Sequence, residues 1–354
     1  MVKINEVIAN IKPLNEQAMV EARVRQDNLT KPQGSLGQLE SLSIRVAGIK
    51  GNSRPQIVHK VIFTLAGDHG VTEEGISAYP SEVTPQMVNN FLRGGAGINV
   101  LARHVGARVV VSDLGVGSVL EQHPALKDKK VAMGTRNMAK GPAMSREEAL
   151  RSIEAGIELV EEELSKGMDI LGTGDMGIGN TTPSSAITAV ITGADVALAT
   201  GRGTGLDNEG LKRKVETIKK ALDINRPDPK DPIDVLSKVG GFEIGGIAGV
   251  ILAGARYRIP VVIDGFISGA AALIATSLAP QVNPYLIAAH QSVEQGHKII
   301  LEYLGLKPLL NLDLCLGEGT GAALGIFLVE ASFKVLNEMA TFEEAGVSQK
   351  IDEN

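Results

Sequence analysis

A chain of 354 residues can hold one large α/β domain or two smaller ones. A formal net charge of −6 argues against nucleic-acid binding as the main activity, and a single cysteine, Cys315, excludes an internal disulfide and any cysteine-built zinc or iron–sulfur centre. With 44% hydrophobic residues but only 3% aromatics and no Trp, the core has to be built from Ala, Val, Ile, Leu and Gly. The lone thiol suits a reducing, cytoplasmic setting. Residues 1–26 mix charges through their apolar positions and so lack a signal-peptide core. No uninterrupted apolar run reaches the ~18 residues of a membrane span; the nearest, 259–279, contains Asp264 and several glycines and reads as strand plus helix.

In chain order, Ile4 to Arg25 has near-helical apolar spacing and predicts one amphipathic helix. Thr30-Lys31-Pro32-Gln33-Gly34-Ser35-Leu36-Gly37 is a loop, and Leu36 to Ile49 resumes as helix. Gly51 to Pro55 reads as a linker, after which strands and helices alternate. Strands are expected at 61–66, 107–113, 168–172, 196–200, 260–264, 285–289 and 309–316. Helices are expected at 86–102, 146–166, 184–192, 211–222, 245–257, 268–277, 292–303 and 322–336. Such alternation predicts a mostly parallel sheet covered by helices, with ligands at the carboxyl ends of its strands. Ser332 to the C-terminus returns to charged helical sequence. The expected organisation is a large α/β catalytic domain over 54–331 and a small helical domain from 1–53 with 332–354.

The strand ends carry the polar residues. Gly317-Glu318-Gly319-Thr320-Gly321 sets a carboxylate between glycines at the mouth of a helix, where N–H groups and the helix dipole favour an anion. Glu318 is the expected base of that crevice, or else a simple cap of the helix. Gly67-Asp68-His69-Gly70 closes the first strand, and a turn-holding role is favoured there over a catalytic pair. The six histidines show no metal-binding spacing. Gly172-Thr173-Gly174-Asp175-Met176-Gly177 matches G-x-G-x-x-G, with Asp195 lying 20 residues beyond Asp175, so a nicotinamide-dependent oxidoreductase is formally open. Against it, the loop runs on through Asn180 and Thr181, with Thr182 as expected N-cap and Pro183 as first helical residue. Gly201-Arg202-Gly203-Thr204-Gly205, with Lys212-Arg213-Lys214 following, could hold a phosphate through its N–H groups and one lysine, or the basic run is a solvated helix face. Asp264 to Gly269 and His290 to His297 are further polar strand ends. At least five such junctions on one sheet argue for a sizeable crevice taking a phosphorylated ligand.

On Lys31 to Gly37, Ala66 to Val71, Ser81 to Thr84, Gly174 to Thr182, Gly201 to Gly203, Gly265 to Gly269, His290 to Ser292 and Gly317 to Gly321, the chain resembles the nicotinate-nucleotide–dimethylbenzimidazole phosphoribosyltransferases. The matching motifs run from about residue 29 to 325, nearly the whole chain. The resemblance implies a Rossmann-like large domain, a small helical domain built from both chain ends, and a homodimer. It also implies transfer of phosphoribose from nicotinate mononucleotide to a benzimidazole, without metal or organic cofactor. By the same resemblance Glu318 is the general base and Asp175 a second active-site carboxylate, at a position where many members carry Glu. Gly177, Gly203, Lys214, Ser292, Gly319 and Gly321 belong to the nucleotide and phosphate site, Lys214 being matched only through its spacing after Gly203. Tyr79, Gln86 and Met87 lie where the base pocket is expected; they suit a flat aromatic base without naming it, so adenine or a phenol stays open beside dimethylbenzimidazole. A non-catalytic member that only binds a nucleotide is the remaining alternative.

Overall fold

Short aliphatic runs ending in glycine or a polar residue build one parallel sheet at the centre of the molecule. In the computed structural model, which describes residues 1–348, its strands are β1 Lys60–Gly67, β2 Ala107–Gly115, β3 Leu126–Asp128, β4 Ile170–Met176, β5 Val261–Ile263 and β6 Leu286–Ala288. Their spatial order is β3-β2-β1-β4-β5-β6, with every pairing parallel. This is the Rossmann order, as expected, with the chain reversing direction between β1 and β4. Beyond Lys60, β1 is buried throughout, as a sheet covered on both faces requires.

The helices are α1 Val2–Ala9, α2 Glu16–Asn28, α3 Gln38–Lys50, α4 Val83–Arg93, α5 Gly97–Val105, α6 Arg146–Leu164, α7 Thr181–Thr192, α8 Val196–Ala199, α9 Asn208–Asn225, α10 Pro232–Val239, α11 Phe242–Arg256, α12 Phe266–Leu278, α13 Gln295–Leu304, α14 Thr320–Glu338 and α15 Phe342–Ala345. The two faces of the sheet follow from the period of two along β4. Leu171 points at Gly254 of α11, whereas Gly172 points at Ala322 and Ile326 of α14. Helices α6, α11 and α12 cover the first face and α14, flanked by α3 and α5, the second. A Cβ on Gly156 of α6 would strike the Gly246 carbonyl of α11, so glycine is what lets these two helices touch backbone to backbone. Helix α1 packs on α6 and α11. The end of α2 instead joins the chain end: Thr30 N–H donates to the Ala340 carbonyl at 3.0 Å, and the Arg25 guanidinium donates to the carbonyls of Leu336 and Met339.

Several expected elements differ. The single helix over 4–25 is two, because Pro13 lacks an N–H and Asn15 restarts the chain as the cap of α2, its side chain accepting Ala18 N–H at 2.9 Å. The helix over 86–102 divides at Gly94, whose φ of 78° ends α4. Residues 196–200 form the helical turn α8 and not a strand, since the Asp195 carboxylate accepts Ala197 N–H at 2.8 Å and sets a helical start. The strand expected over 309–316 does not form. Leu309 and Leu310 N–H groups touch the sheet through the carbonyls of Ala288 and Ala289. Beyond them Asn311 and Asp313 alternate with leucines, which would put polar groups on one face of a doubly covered sheet, and Asp313 turns the chain at φ 53°. Helix α7 starts one residue before the expected cap, with Asn180 and not Thr182 at the N-cap. Strand β3 and helix α10 had no expectation.

Among the described residues α14 alone is long and apolar enough to cross a bilayer, and 56% of that stretch is buried in the protein. It is a core helix of the fold.

A carboxylate-lined candidate active site at the switch point

Where β1 and β4 part, their carboxyl ends open a crevice. Into it run the Asp68-His69 turn after β1, Asp175 to Asn180 after β4, Asp264 after β5, the 289–294 segment after β6, and the Gly317–Gly319 turn that starts α14.

Gly317, Glu318 and Gly319 hold consecutive positive φ values of 79°, 63° and 96°. Only glycine adopts this backbone freely, so Glu318 is a strained non-glycine residue held by its surroundings. Three contacts hold it. The Thr64 hydroxyl of β1 donates to the Glu318 carbonyl at 2.8 Å, and Thr320 N–H and hydroxyl both donate to the Gly317 carbonyl. The Glu318 side chain turns away from its own helix, and its Oε2 accepts the Ile98 N–H of α5 at 3.2 Å. Glu318 therefore does not cap α14. Burial raises its pKa above the ordinary carboxylate value, with the Ile98 N–H opposing part of that rise.

Backbone meets backbone at this turn. A Cβ on Gly174 of β4 would lie inside contact distance of the Glu318 carbonyl and the Gly319 nitrogen. Gly174→Ala is expected to push the turn outward, losing about 1–3 kcal/mol of stability and at least tenfold in turnover. Urea unfolding and a rate measurement on the folded fraction check this; wild-type values in both would remove the close approach as a constraint.

Asp175 is buried beside the turn, its carboxylate oxygens 3.2 and 3.4 Å from where a Cβ on Gly317 would sit, and the Asn180 amide donates to Oδ2 at 2.9 Å. Its pKa is raised well above the ordinary value, first by burial, then by Asp264 and Glu243, with a smaller push from Glu318. Asp264 is wholly buried, and burial lifts it to about 7 against the backbone N–H groups that surround it. Glu243, from the first turn of α11, pairs with His69 at 2.8 Å. That partnership, assisted by Asp68, holds the His69 pKa up despite burial. Asp68 accepts Gly117 N–H at 2.7 Å, in keeping with the turn-holding role expected of it.

The second half of the crevice holds a buried cation. Lys214 of α9 is fully buried, and its ammonium donates to Thr181 Oγ1 at 2.7 Å and to the Gly201 carbonyl at 3.2 Å. Burial lowers its pKa to about 8, with Glu294 opposing the fall. Gly203, at φ 54°, donates its N–H to Glu294 Oε1 at 2.9 Å, and a Cβ there would stand 3.1 Å from the lysine nitrogen. Thr182 Oγ1, Ser184 Oγ and Glu294 Oε2 are buried without a hydrogen-bond partner among the described residues. The free Thr182 and Ser184 hydroxyls at the start of α7 can still donate to an anion, whereas Glu294 already accepts the Gly203 N–H and can only accept.

Of the residues expected from sequence, Glu318, Gly319 and Gly321 share one turn, with Asp175 beside it. Gly177 packs its backbone on the Gly67 carbonyl beside His69, and Gly203 lies against the Lys214 ammonium. Ser292 offers its hydroxyl to Glu294 N–H at 3.3 Å and lies 3.9 Å from a Cβ built on Gly265. Tyr79 is exposed, and its segment is tied to the Gly203 loop through Ala78 N–H and Thr204 Oγ1 at 3.0 Å, away from the carboxylates. Gln86 and Met87 lie on α4, whose Thr84 hydroxyl accepts Ile178 N–H at 3.1 Å. The G-x-G-x-x-G match is not a phosphate turn: Gly172 and Gly174 lie inside β4 and do not lead the chain into a helix. Sequence reasoning named the segments that hold Asp264, Asn180 and Glu294 without giving these residues a role, and missed Glu243. Asp264 closes a strand and was visible as a polar strand end, whereas Glu243 had no local signal.

A Rossmann sheet whose switch point gathers buried carboxylates and a buried lysine has the layout of an enzyme acting on a small molecule. The family described as phosphoribosyltransferase matches residues 11–347. The nicotinate-nucleotide–dimethylbenzimidazole phosphoribosyltransferase of Roseiflexus sp. (strain RS-1) is 59% identical over 349 residues, covering 99% of both chains. The protein of that name from Desulforudis audaxviator is 61% identical over 346 residues, covering 98% of both. The crystal structure of CobT from Thermus thermophilus superimposes with a TM-score of 0.91 at 47% identity, over 94% of this chain and 100% of that one. The chain belongs to the nicotinate-nucleotide–dimethylbenzimidazole phosphoribosyltransferase family.

Proposed function

We infer that the chain transfers the 5-phosphoribosyl group of nicotinate mononucleotide to 5,6-dimethylbenzimidazole, giving α-ribazole 5′-phosphate and nicotinate for the lower ligand of a cobamide. One benzimidazole nitrogen attacks C1′ of the ribose. The bond from C1′ to the pyridinium nitrogen breaks, and its electron pair neutralises the departing nicotinate ring. The proton on the other benzimidazole nitrogen passes to a base. The leaving group needs no acid, since it is already cationic, and attack opposite to it inverts the anomeric centre.

The observation that carries this reading is the Glu318 carboxylate, buried and raised in pKa, across one crevice from the buried Lys214 ammonium. A carboxylate with its pKa brought toward neutrality is a better proton acceptor for a weakly acidic ring N–H. Lys214, the Gly203 loop, Ser292 and the start of α7 are read as anchoring the donor phosphate, and Gly177, Gly319 and Gly321 as the parts of the nucleotide site where backbone packs closely on its neighbours. Anchoring at that distance from the reacting carbon fixes the ribose for in-line attack. Asp175 is read as a second active-site carboxyl beside the ribose, held toward its protonated form by burial and by the neighbouring carboxylates. Gln86 and Met87 on α4 are read as lining the approach of the flat base, whereas Tyr79, exposed beside the Gly203 loop, stands apart from it.

The chain is further read as a cytoplasmic homodimer, in which 1–53 with 332–354 form the small helical domain and 54–331 the catalytic one. The ties from α2 to the end of α14 and to α15 support that grouping, and 349–354 lie outside the described residues.

The test is to incubate the protein with nicotinate mononucleotide and a mixture of benzimidazoles, purines and phenols and to read products by mass. Dimethylbenzimidazole ribotide with release of nicotinate is expected. A purine or phenol ribotide formed in preference would reassign the acceptor. Nucleotide binding without product would make this a non-catalytic member.

A further inference from the structure

Glu318 is useful as a base only if its strained turn stays in place, and the contacts that hold the turn come from outside it. Thr64 holds the carbonyl from one side. On the other, Asp264 reaches across from the end of β5: Oδ2 accepts Gly319 N–H at 3.2 Å and Oδ1 accepts Ala322 N–H at 2.9 Å, with Gly321 N–H also directed at it. Helix α14 has no capping side chain of its own, as Gly319 stands at its N-cap position. Asp264 is thus the cap of α14, supplied by another element. Its own N–H is held in turn, donating to Thr173 Oγ1 at 3.3 Å, and that hydroxyl donates to Ser268 at 2.8 Å. A Cβ on Gly321 would collide with His290 and with Asp264, so the cap and the helix start can approach only through glycine.

We propose that Asp264 is a positioning residue for the reaction, its carboxylate clamping the first turn of α14 so that Glu318 keeps its aim at the incoming base. The inference rests on Glu318 being the base. An ionised carboxylate accepts N–H groups through both oxygens at once, whereas a protonated or amide side chain keeps one strong acceptor and turns a donor toward the backbone. Asp264 therefore clamps best when ionised. With its pKa near 7, the clamp tightens over the neutral range as pH rises. The titratable groups facing it are Glu318 on the turn, Asp175 at the end of β4 and His290 at the end of β6, the last with Nδ1 at 4.0 Å and a pKa lowered by burial. The two carboxylates raise Asp264 or are raised by it, and a neutral His290 leaves the clamp without a cationic partner.

The test compares Asp264→Asn with the wild-type protein across pH 6 to 9, since Asn keeps shape and one acceptor. At pH 8 a fall in kcat of about 50-fold is expected, with the Kd for nicotinate mononucleotide by calorimetry within about threefold of wild type. The ratio of wild-type to variant kcat should shrink as pH drops below about 7, because the protonated wild type then resembles the variant. That ratio cancels titrations shared by both proteins, and a residue important only for folding would leave it flat. A pH-independent ratio, a kcat near wild type at pH 8, or a loss of donor affinity equal to the loss of kcat would each overturn the proposal. Should Asp264→Asn fail to fold, Thr64→Val releases the same turn from the other side; about tenfold lower kcat with donor affinity kept is expected, and an unchanged kcat overturns it. Glu318→Gln, measured alongside, separates the two readings. Normal turnover there removes the base and this inference with it, while a disabled Glu318→Gln beside a normal Asp264→Asn removes this inference alone.

Discussion

Glu318→Gln is expected to lower kcat by about three orders of magnitude while leaving the binding of nicotinate mononucleotide almost unchanged. The substitution isolates the proton acceptor. Gln has the same length, and its carbonyl oxygen can still accept the Ile98 N–H that the carboxylate accepts at 3.2 Å. The backbone contacts from Thr64 and Asp264 do not involve the side chain. What the variant loses is basicity, so the effect belongs in kcat and not in donor affinity. The wild-type pH profile carries the same signature. Burial raises Glu318, and a base works only when deprotonated, so activity should fall as pH drops through a pKa above the usual carboxylate range. In the Gln variant that acid limb should vanish from the residual rate. Turnover within a few-fold of wild type, or an acid limb that survives the substitution, would show that the proton leaves by another route.

The carboxylates around Glu318 differ in how far sequence revealed them, and the difference is physical. Glu318 sits in a local signal: a run of glycines after an apolar stretch and before a helix, a pattern with few uses other than bringing backbone close to a ligand. Asp175 and Gly177 stand at the end of an aliphatic strand for the same reason. Strands β1 and β2 were legible because Val61-Ile62-Phe63 and Val109-Val110-Val111 leave a continuous apolar trace, and β4 because Ile170-Leu171 runs through glycines to a polar end. Val196 to Thr200 misled, as Val-Ala-Leu-Ala is compatible with either period and the Asp195 cap decided it. Residues 309–316 misled because their apolar alternation belongs to a one-sided surface. Leu312 and Leu316 are exposed and only the first two residues touch the sheet. Glu243 could not be found locally. It reaches the crevice because the start of α11 is thrust against the end of β1, where Gly67 and Gly241 leave room for its carboxylate. Asp264 was legible as a polar strand end, but its capping of α14 spans 55 and 58 residues and exists only in the fold.

Lys214→Met should raise the KM for nicotinate mononucleotide by about two orders of magnitude, leave kcat within a few-fold, and make the empty protein no less stable at pH 7. The last clause distinguishes a functional lysine from a structural one. In the folded chain its pKa is lowered from 10.5 to about 8, so the folded state binds fewer protons than the unfolded state between those values. The depression means that burying the charge destabilises the protein, by about 3 kcal/mol on linkage. That penalty is present in full below pH 8 and is relieved as pH rises toward 10.5. Two hydrogen bonds, to Thr181 and the Gly201 carbonyl, offset part of it. A methionine of similar shape removes the charge and the bonds together, so little stability should be lost. What cannot be replaced is the cation for the donor phosphate. The same pKa sets an alkaline limit: kcat/KM for the donor should fall as pH rises through about 8, whereas kcat should hold to higher pH, because a bound phosphate dianion keeps the ammonium protonated. Chemical unfolding at pH 7 and donor saturation curves from pH 6 to 9.5 check both parts. A variant that unfolds several kcal/mol more easily would mark Lys214 as a support of the α7–α9 packing, and an unchanged KM would move the phosphate out of this pocket.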